Sequence, residues 1–197
     1  MRSTLSDRLL FLRAFVAHPR LVGAVLPTSA RAVGDMLDMA DLGQARLVVE
    51  LGAGTGSHTG TILRRLGPQA RMVAFEIDPI MAEALRVKLS DPRLEIITGS
   101  AEDVVEVLGG QRPEVVVSAL PFTSLPSGMG RTILERTAGV LAPGGTLLVL
   151  QYSPLLAREL SRLFATVSRR ISPVNVPPAF LYACRDPRDP GAAEGAR

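Results

Sequence analysis

The chain has 197 residues, 47% of them hydrophobic and 21% charged, the profile of a single domain able to bury a core. No window holds the roughly 18 uninterrupted apolar residues of a spanning helix, and Asp7, Arg8 and Arg13 break up the apolar start that would otherwise suggest a signal sequence, so a cytoplasmic location is expected. The single cysteine, Cys184, excludes an internal disulfide and a thiolate cluster for zinc, while a formal charge of +3 with Lys88 as the only lysine among 22 basic residues suits a phosphate-bearing partner, unless it reflects base composition alone.

In chain order, an apolar-rich helix is expected at Leu5 to Ala17, a break around Pro19, and a second helix at Ser29 to Met39 with Thr28 or Ser29 as its N-cap. The first 34 residues set Arg2, Arg8, Arg13, Arg20 and Arg31 against the acid Asp7, beside Leu9, Leu10, Phe11, Leu12, Phe15 and Val16. Such a helix suits the headgroup layer of an anionic bilayer, the inner face of a membrane, or the roof of a ligand cleft. From Leu47 onward, short apolar runs alternate with helical patterns, which predicts an α/β fold: a doubly wound, mostly parallel sheet of seven strands. Strands are read at Leu47–Leu51, Arg71–Glu76, Leu94–Thr98, Glu114–Ser118 and Gly145–Gln151, with helices at Ser57–Leu66, Ile80–Leu89, Ala101–Leu108 and Gly128–Leu141. A helix at Pro154–Phe164 and a closing hairpin of strands, Val167–Ile171 and Phe180–Cys184, complete the sheet. The tail Asp186–Arg197 is Pro, Gly, Ala and charge and reads as disordered. The expected organisation is a helical extension at 1–40, a ligand-binding domain at 41–185 and the tail at 186–197.

The segment Glu50-Leu51-Gly52-Ala53-Gly54-Thr55-Gly56 runs from a buried strand into a glycine-rich turn and then a helix. Glycines belong where the backbone turns sharply and a ligand comes close, so this is a nucleotide-type site. Ser57 stands where a dinucleotide fingerprint would place its third glycine, which makes NAD the weaker reading. Glu76 ends the second strand, where a carboxylate can accept hydrogen bonds from both ribose hydroxyls, and Thr98-Gly99-Ser100-Ala101-Glu102-Asp103 ends the third, in position to flank an adenine ring. His58 and His18 read as polar side chains rather than as bases.

Val48 to Gly56, Ala74-Phe75-Glu76-Ile77-Asp78-Pro79, Thr98 to Asp103 and Leu141-Ala142-Pro143-Gly144-Gly145 resemble the successive motifs of class I S-adenosylmethionine methyltransferases. The resemblance implies S-adenosyl-L-methionine as cofactor, held by Glu50, Gly52, Ala53, Gly54, Thr55, Gly56, Glu76, Ile77, Ser100, Ala101, Glu102 and Ser118. Phe11 to Ser29, especially Pro19 to Ser29, with Ser118-Ala119-Leu120-Pro121-Phe122, Gln151-Tyr152-Ser153-Pro154 and Asn175-Val176-Pro177-Pro178-Ala179, resemble the bacterial phospholipid N-methyltransferases more narrowly. That likeness implies phosphatidylethanolamine or a related phospholipid as substrate. The family favours glycine at Ala119 and commonly aspartate at Ser100. Ribosomal RNA adenine dimethyltransferases are similar through the same cofactor motifs, but their Asn-Leu-Pro-aromatic motif falls on Ala119-Leu120-Pro121-Phe122. A methyl group therefore replaces the amide that would hold a base, so nucleic acid is not the expected partner. A small soluble amine remains a second kind of acceptor, and loss of the catalytic pocket, leaving a cofactor-binding protein, a third reading.

Methyl transfer from a sulfonium needs no metal and no covalent intermediate, so positioning carries the catalysis. Ser118, Leu120 and Pro121 are expected to line the methyl pocket beside the topological switch point, with Tyr152 facing the acceptor through its ring and hydroxyl.

Overall fold

The computed structural model describes residues 28–173, 175 and 177–188. The helix expected at Leu5–Ala17, the break at Pro19, His18 and residues 189–197 lie outside the described residues.

The chain enters through α1 (Ala30–Leu37), capped by the Ser29 hydroxyl, which accepts the Ala32 amide. Ala32, Val33, Met36 and Leu37 repeat at helical spacing and form its buried face. There follow β1 (Leu47–Leu51), α2 (Ser57–Leu63), β2 (Arg71–Glu76), α3 (Pro79–Lys88), β3 (Leu94–Thr98), α4 (Val104–Leu108), β4 (Val115–Ser118), α5 (Met129–Val140), β5 (Thr146–Gln151), α6 (Ala157–Leu163), β6 (Phe164–Ser172) and β7 (Ala179–Pro187).

The sheet has seven strands in the order β3-β2-β1-β4-β5-β7-β6. The first five in that order run parallel. β7 lies antiparallel between β5 and β6. The fold is thus the α/β sheet expected from the alternation of apolar runs and helical patterns. Every residue of β1, β4 and β5 is buried, because helices cover both faces of a parallel sheet. Alternate side chains separate into two apolar layers. One joins Leu51, Phe75, Ile133, Leu160 and Tyr182; the other joins Val48, Ile62, Met72, Met36 and Leu181 on the opposite face.

Several ends differ from the expectation for identifiable reasons. The helix read to Leu66 stops at Leu63, where the Arg65 and Leu66 amides tighten onto Ile62 and Leu63 carbonyls. The helix read at Ala101–Leu108 starts as a 3₁₀ turn, Ala101–Asp103, whose Glu102 amide is capped by the Ser100 hydroxyl. Pro154–Leu156 is a 3₁₀ turn as well. The closing hairpin is longer than predicted because pairing persists out to Phe164 with Pro187, which draws Asp186 and Pro187 out of the expected tail into a strand. Cys184 lies fully buried in that strand, and burial pushes its thiol up to about 12.

Candidate active site

Crossovers leave β1 and β4 in opposite directions along the sheet, so their carboxyl ends diverge and open a crevice. A cleft of about 780 Å³, counted with its open mouth, occupies that place. Gly52 and Gly54 from the loop after β1, Glu76 and Ile77 from the end of β2, and Ser100 and Ala101 after β3 line one half. Ala119, Leu120 and Pro121 after β4, with Leu125, Met129 and Ile133, line the other. The first half is polar and the second wholly apolar.

Glu76 organises the polar half. Its Oε2 accepts the Gly54 amide at 2.7 Å and its Oε1 accepts the Asp78 amide at 2.9 Å. Each carboxylate oxygen is thus fixed by one backbone donor and keeps a lone pair for a ligand hydroxyl. Asp78 in turn caps α3 by accepting the Ile80 amide. Gly54 has φ +55° and a Cβ there would meet nothing within 4 Å, so the glycine keeps the backbone bare toward the cleft. Gly56 also has positive φ, but its missing Cβ makes room for Leu85 of α3, so it serves packing and does not line the cleft.

Four amides of the loop are bonded within the protein. Gly52 and Ala53 both donate to the Phe75 carbonyl, Gly54 to Glu76, and Gly56 to the Ala53 carbonyl. The loop therefore offers shape more than hydrogen-bond donors. Glu50, Ala53, Thr55, Glu102 and Ser118 likewise lie outside the cleft lining. The Thr55 carbonyl accepts Lys88 Nζ, and the Glu102 amide is held by Ser100.

Glu50 sits beneath the loop, 1% exposed, with Oε2 accepting the Thr59 hydroxyl at 2.6 Å. Burial, reinforced by the nearby Glu76 charge and opposed by that hydrogen bond, pushes its carboxyl up to about 8. Its Oε1 is buried with no partner among the described residues. His58 is also buried, which lowers its pKa, and it does not line the cleft.

On the apolar half the segment after β4 is pinned from two sides. The Ser118 hydroxyl accepts the Leu120 amide at 3.3 Å, and Gln151 Nε2 donates to the Leu120 carbonyl at 2.7 Å. The Phe122 amide donates to the same carbonyl, folding the chain tightly around Pro121. Ser118 is fully buried and does not line the cleft. The sequence placed Gln151 in a family-like motif but gave it no role; a buried amide closing an otherwise apolar strand was the available signal. Phe75, Asp78, Met81 and Gly99 also line the cleft, beyond the residues selected for their chemistry.

Tyr152 does not line the cleft. Its hydroxyl lies 2.7 Å from Thr28 Oγ1 and accepts Asn175 Nδ2 at 3.1 Å, while Asn175 Oδ1 accepts the Ser29 hydroxyl at 2.7 Å. A phenol expected to face the acceptor is instead tied into a network joining α1's start, β5's end and the β6–β7 turn. Among the described residues no cluster of His, Cys, Asp and Glu could hold a metal, and no helix is long and apolar enough to cross a membrane.

A family described as Methyltransferase domain matches residues 48–145. An ornithine lipid N-methyltransferase of Singulisphaera acidiphila is 33% identical over 92% of this chain and 97% of its own. A ribosomal RNA small subunit methyltransferase A of Cutibacterium acnes is 35% identical over only 47% of this chain and 32% of its own. Among solved structures, the N-methyltransferase NodS of Bradyrhizobium japonicum WM9 in complex with S-adenosyl-L-homocysteine shares the fold at TM-score 0.67 and 15% identity, over 92% of this chain and 99% of that one. The crevice at the switch point, the carboxylate at the end of β2 and these likenesses agree: the chain belongs to the class I S-adenosylmethionine-dependent methyltransferases.

Proposed function

We propose that the protein transfers methyl groups from S-adenosylmethionine to the amine of a membrane-lipid headgroup, that of phosphatidylethanolamine or a related phospholipid. The observation that carries this reading is the likeness to an ornithine lipid N-methyltransferase across nearly the whole of both chains, far beyond the cofactor motifs. A primary amine on a lipid headgroup is the chemistry that the two lipids share.

The residues present suit the donor. Glu76, with both oxygens oriented by backbone amides, would accept the ribose hydroxyls. Ile77, Ser100 and Ala101 would flank the adenine. The bare backbone at Gly54 leaves room for the donor's tail. Glu50, buried with an unpartnered oxygen, would ionise against the ammonium of that tail. When bound, the donor supplies an electrophilic methyl carbon on a sulfonium.

The chain's remaining task is to bring a neutral nitrogen in line with that carbon, about 3 Å away. Leu120 and Pro121, fixed by Ser118 and Gln151, form the wall against which the amine is aligned. The apolar side chains of the acceptor half exclude water. An ammonium entering such a site loses solvation, which lowers its pKa and favours the uncharged, nucleophilic form without a dedicated base. Residues 1–27, basic and apolar by sequence, suit attachment to the bilayer from which the substrate comes.

Transfer of labelled methyl groups into a total lipid extract, resolved by headgroup, tests this. Label is expected in phosphatidylethanolamine or in an amine-bearing lipid beside it. Label found only in RNA or in soluble amines would overturn the reading.

A further inference from the structure

Five large apolar side chains are exposed among the described residues, and two of them, Leu155 at 75% and Ile171 at 53%, stand at the edge of the sheet that holds the cleft. Ile171 pairs with Phe180, Phe180 pairs with Gln151, and Gln151 donates to Leu120 in the cleft wall. Two strand spacings of about 4.8 Å set Ile171 about 10 Å from Gln151, whose side chain reaches the Leu120 carbonyl in the cleft wall. Directly paired residues share a face, so Ile171 lies on the side of Phe180, which packs against the layer containing Leu156 and Leu160. Leu155 leaves the turn just before Leu156, so both exposed side chains belong to the same side of the molecule. The turn between β6 and β7 adds exposed Pro173, Pro177 and Pro178.

Charge on this rim is one-sided. From Gln151 to Tyr182 the only acid is Glu159, and it is bound to Arg131 and Arg162. Arg158, Arg169 and Arg170 are exposed and make no ion pair among the described residues. A second copy of the chain fits this rim poorly, because pairing β6 with β6 would set arginines against arginines.

We propose that this rim, the turn after β5 together with the β6–β7 hairpin tip, is a docking surface for an anionic lipid bilayer. Leu155 and Ile171 enter the headgroup layer while Arg158 and Arg169 meet its phosphates; Arg169 pairs with Tyr182 on the face of Ile171, whereas Arg170 pairs with Leu181 on the other face. Docked this way, the acceptor half of the cleft opens at headgroup depth, so a lipid amine reaches it without the lipid leaving the membrane. The purpose of this surface rests on the lipid-amine reading given above.

The test is flotation of the full chain with phosphatidylcholine vesicles, with and without about one-third phosphatidylglycerol, for wild type, Leu155→Ser with Ile171→Ser, and Arg158→Gln with Arg169→Gln. The apolar pair of substitutions is expected to weaken vesicle binding about tenfold, and the arginine pair to abolish the preference for anionic vesicles. Both are expected to keep the wild-type melting temperature, since all four side chains are exposed, and the wild-type rate on a water-soluble short-chain lipid amine. Wild-type flotation by both variants, or a wild-type chain that dimerises in solution through β6 and does not float, would overturn the surface. Flotation as expected, with no lipid amine methylated by any form, would sink the substrate reading and leave the surface standing.

Discussion

The two halves of the cleft are built over different distances along the chain. In the donor half, Glu76 is tied to Gly54 and Asp78, 22 and two residues away. In the acceptor half and the network behind it, the bonds span 31 residues from Gln151 to Leu120, 124 from Thr28 to Tyr152 and 146 from Ser29 to Asn175. A half assembled from consecutive strand ends is specified by compact motifs. A half assembled by the finished sheet can change its acceptor through distant substitutions while the donor site stays intact. The contrast predicts that donor affinity and acceptor turnover can be damaged separately.

The largest effect is expected from Glu76→Ala, which removes the ribose acceptor and strands the Gly54 and Asp78 amides. Donor affinity measured by calorimetry should fall by about a hundredfold or more, or about 3 kcal/mol. A loss below threefold would mean that the donor half is not where it is drawn.

Glu50→Gln probes the acid under the loop. A carboxyl raised to about 8 in the folded chain from 4.5 keeps its proton where the unfolded chain has released it. Its contribution to stability is full below pH 4.5 and is lost as pH rises through about 8. Denaturation at pH 5 and pH 8 should show wild type weakening by about 3 kcal/mol relative to Glu50→Gln. Parallel pH profiles for the two chains would show that Glu50 is ionised in the fold.

Gln151→Met keeps the volume and removes the donor to the Leu120 carbonyl. Turnover is expected to drop about tenfold while donor affinity stays within twofold of wild type, because the acceptor wall loses its fixed position and the donor half is untouched. Equal losses in both would erase the division between the halves.

The smallest effect is assigned to Tyr152→Phe, which takes the hydroxyl from Thr28 and Asn175. Stability should fall by about 1 kcal/mol, read as a melting temperature lower by a few degrees. A raised KM at unchanged melting temperature would return the hydroxyl to the substrate.

The exact strand bounds Leu47–Leu51, Arg71–Glu76 and Leu94–Thr98 were legible because parallel strands are short apolar runs cut off by turn residues, even at the half-buried edge strand β3. Glu76 stood out because a carboxylate closing such a strand beside a glycine loop is unusual, and the structure ties it to the Gly54 and Asp78 amides. Tyr152 offered no such signal. A tyrosine at a strand end looks the same in sequence whether its hydroxyl meets a ligand or an asparagine 23 residues on. Gln151 was passed over because its partner is a carbonyl, which every residue possesses.

What the sequence determined by itself, then, is the order of strands and helices, the glycine loop and the carboxylate that closes β2, since each depends on periodicity or on contacts a few residues apart. Only the tertiary structure decided which loop amides were already spent on Phe75 and Glu76, which polar side chains were locked behind the cleft, and which apolar ones, Leu155 and Ile171, were left outside. Backbone hydrogen-bond partners and solvent exposure belong to the assembled sheet, and no local pattern of residues encodes them.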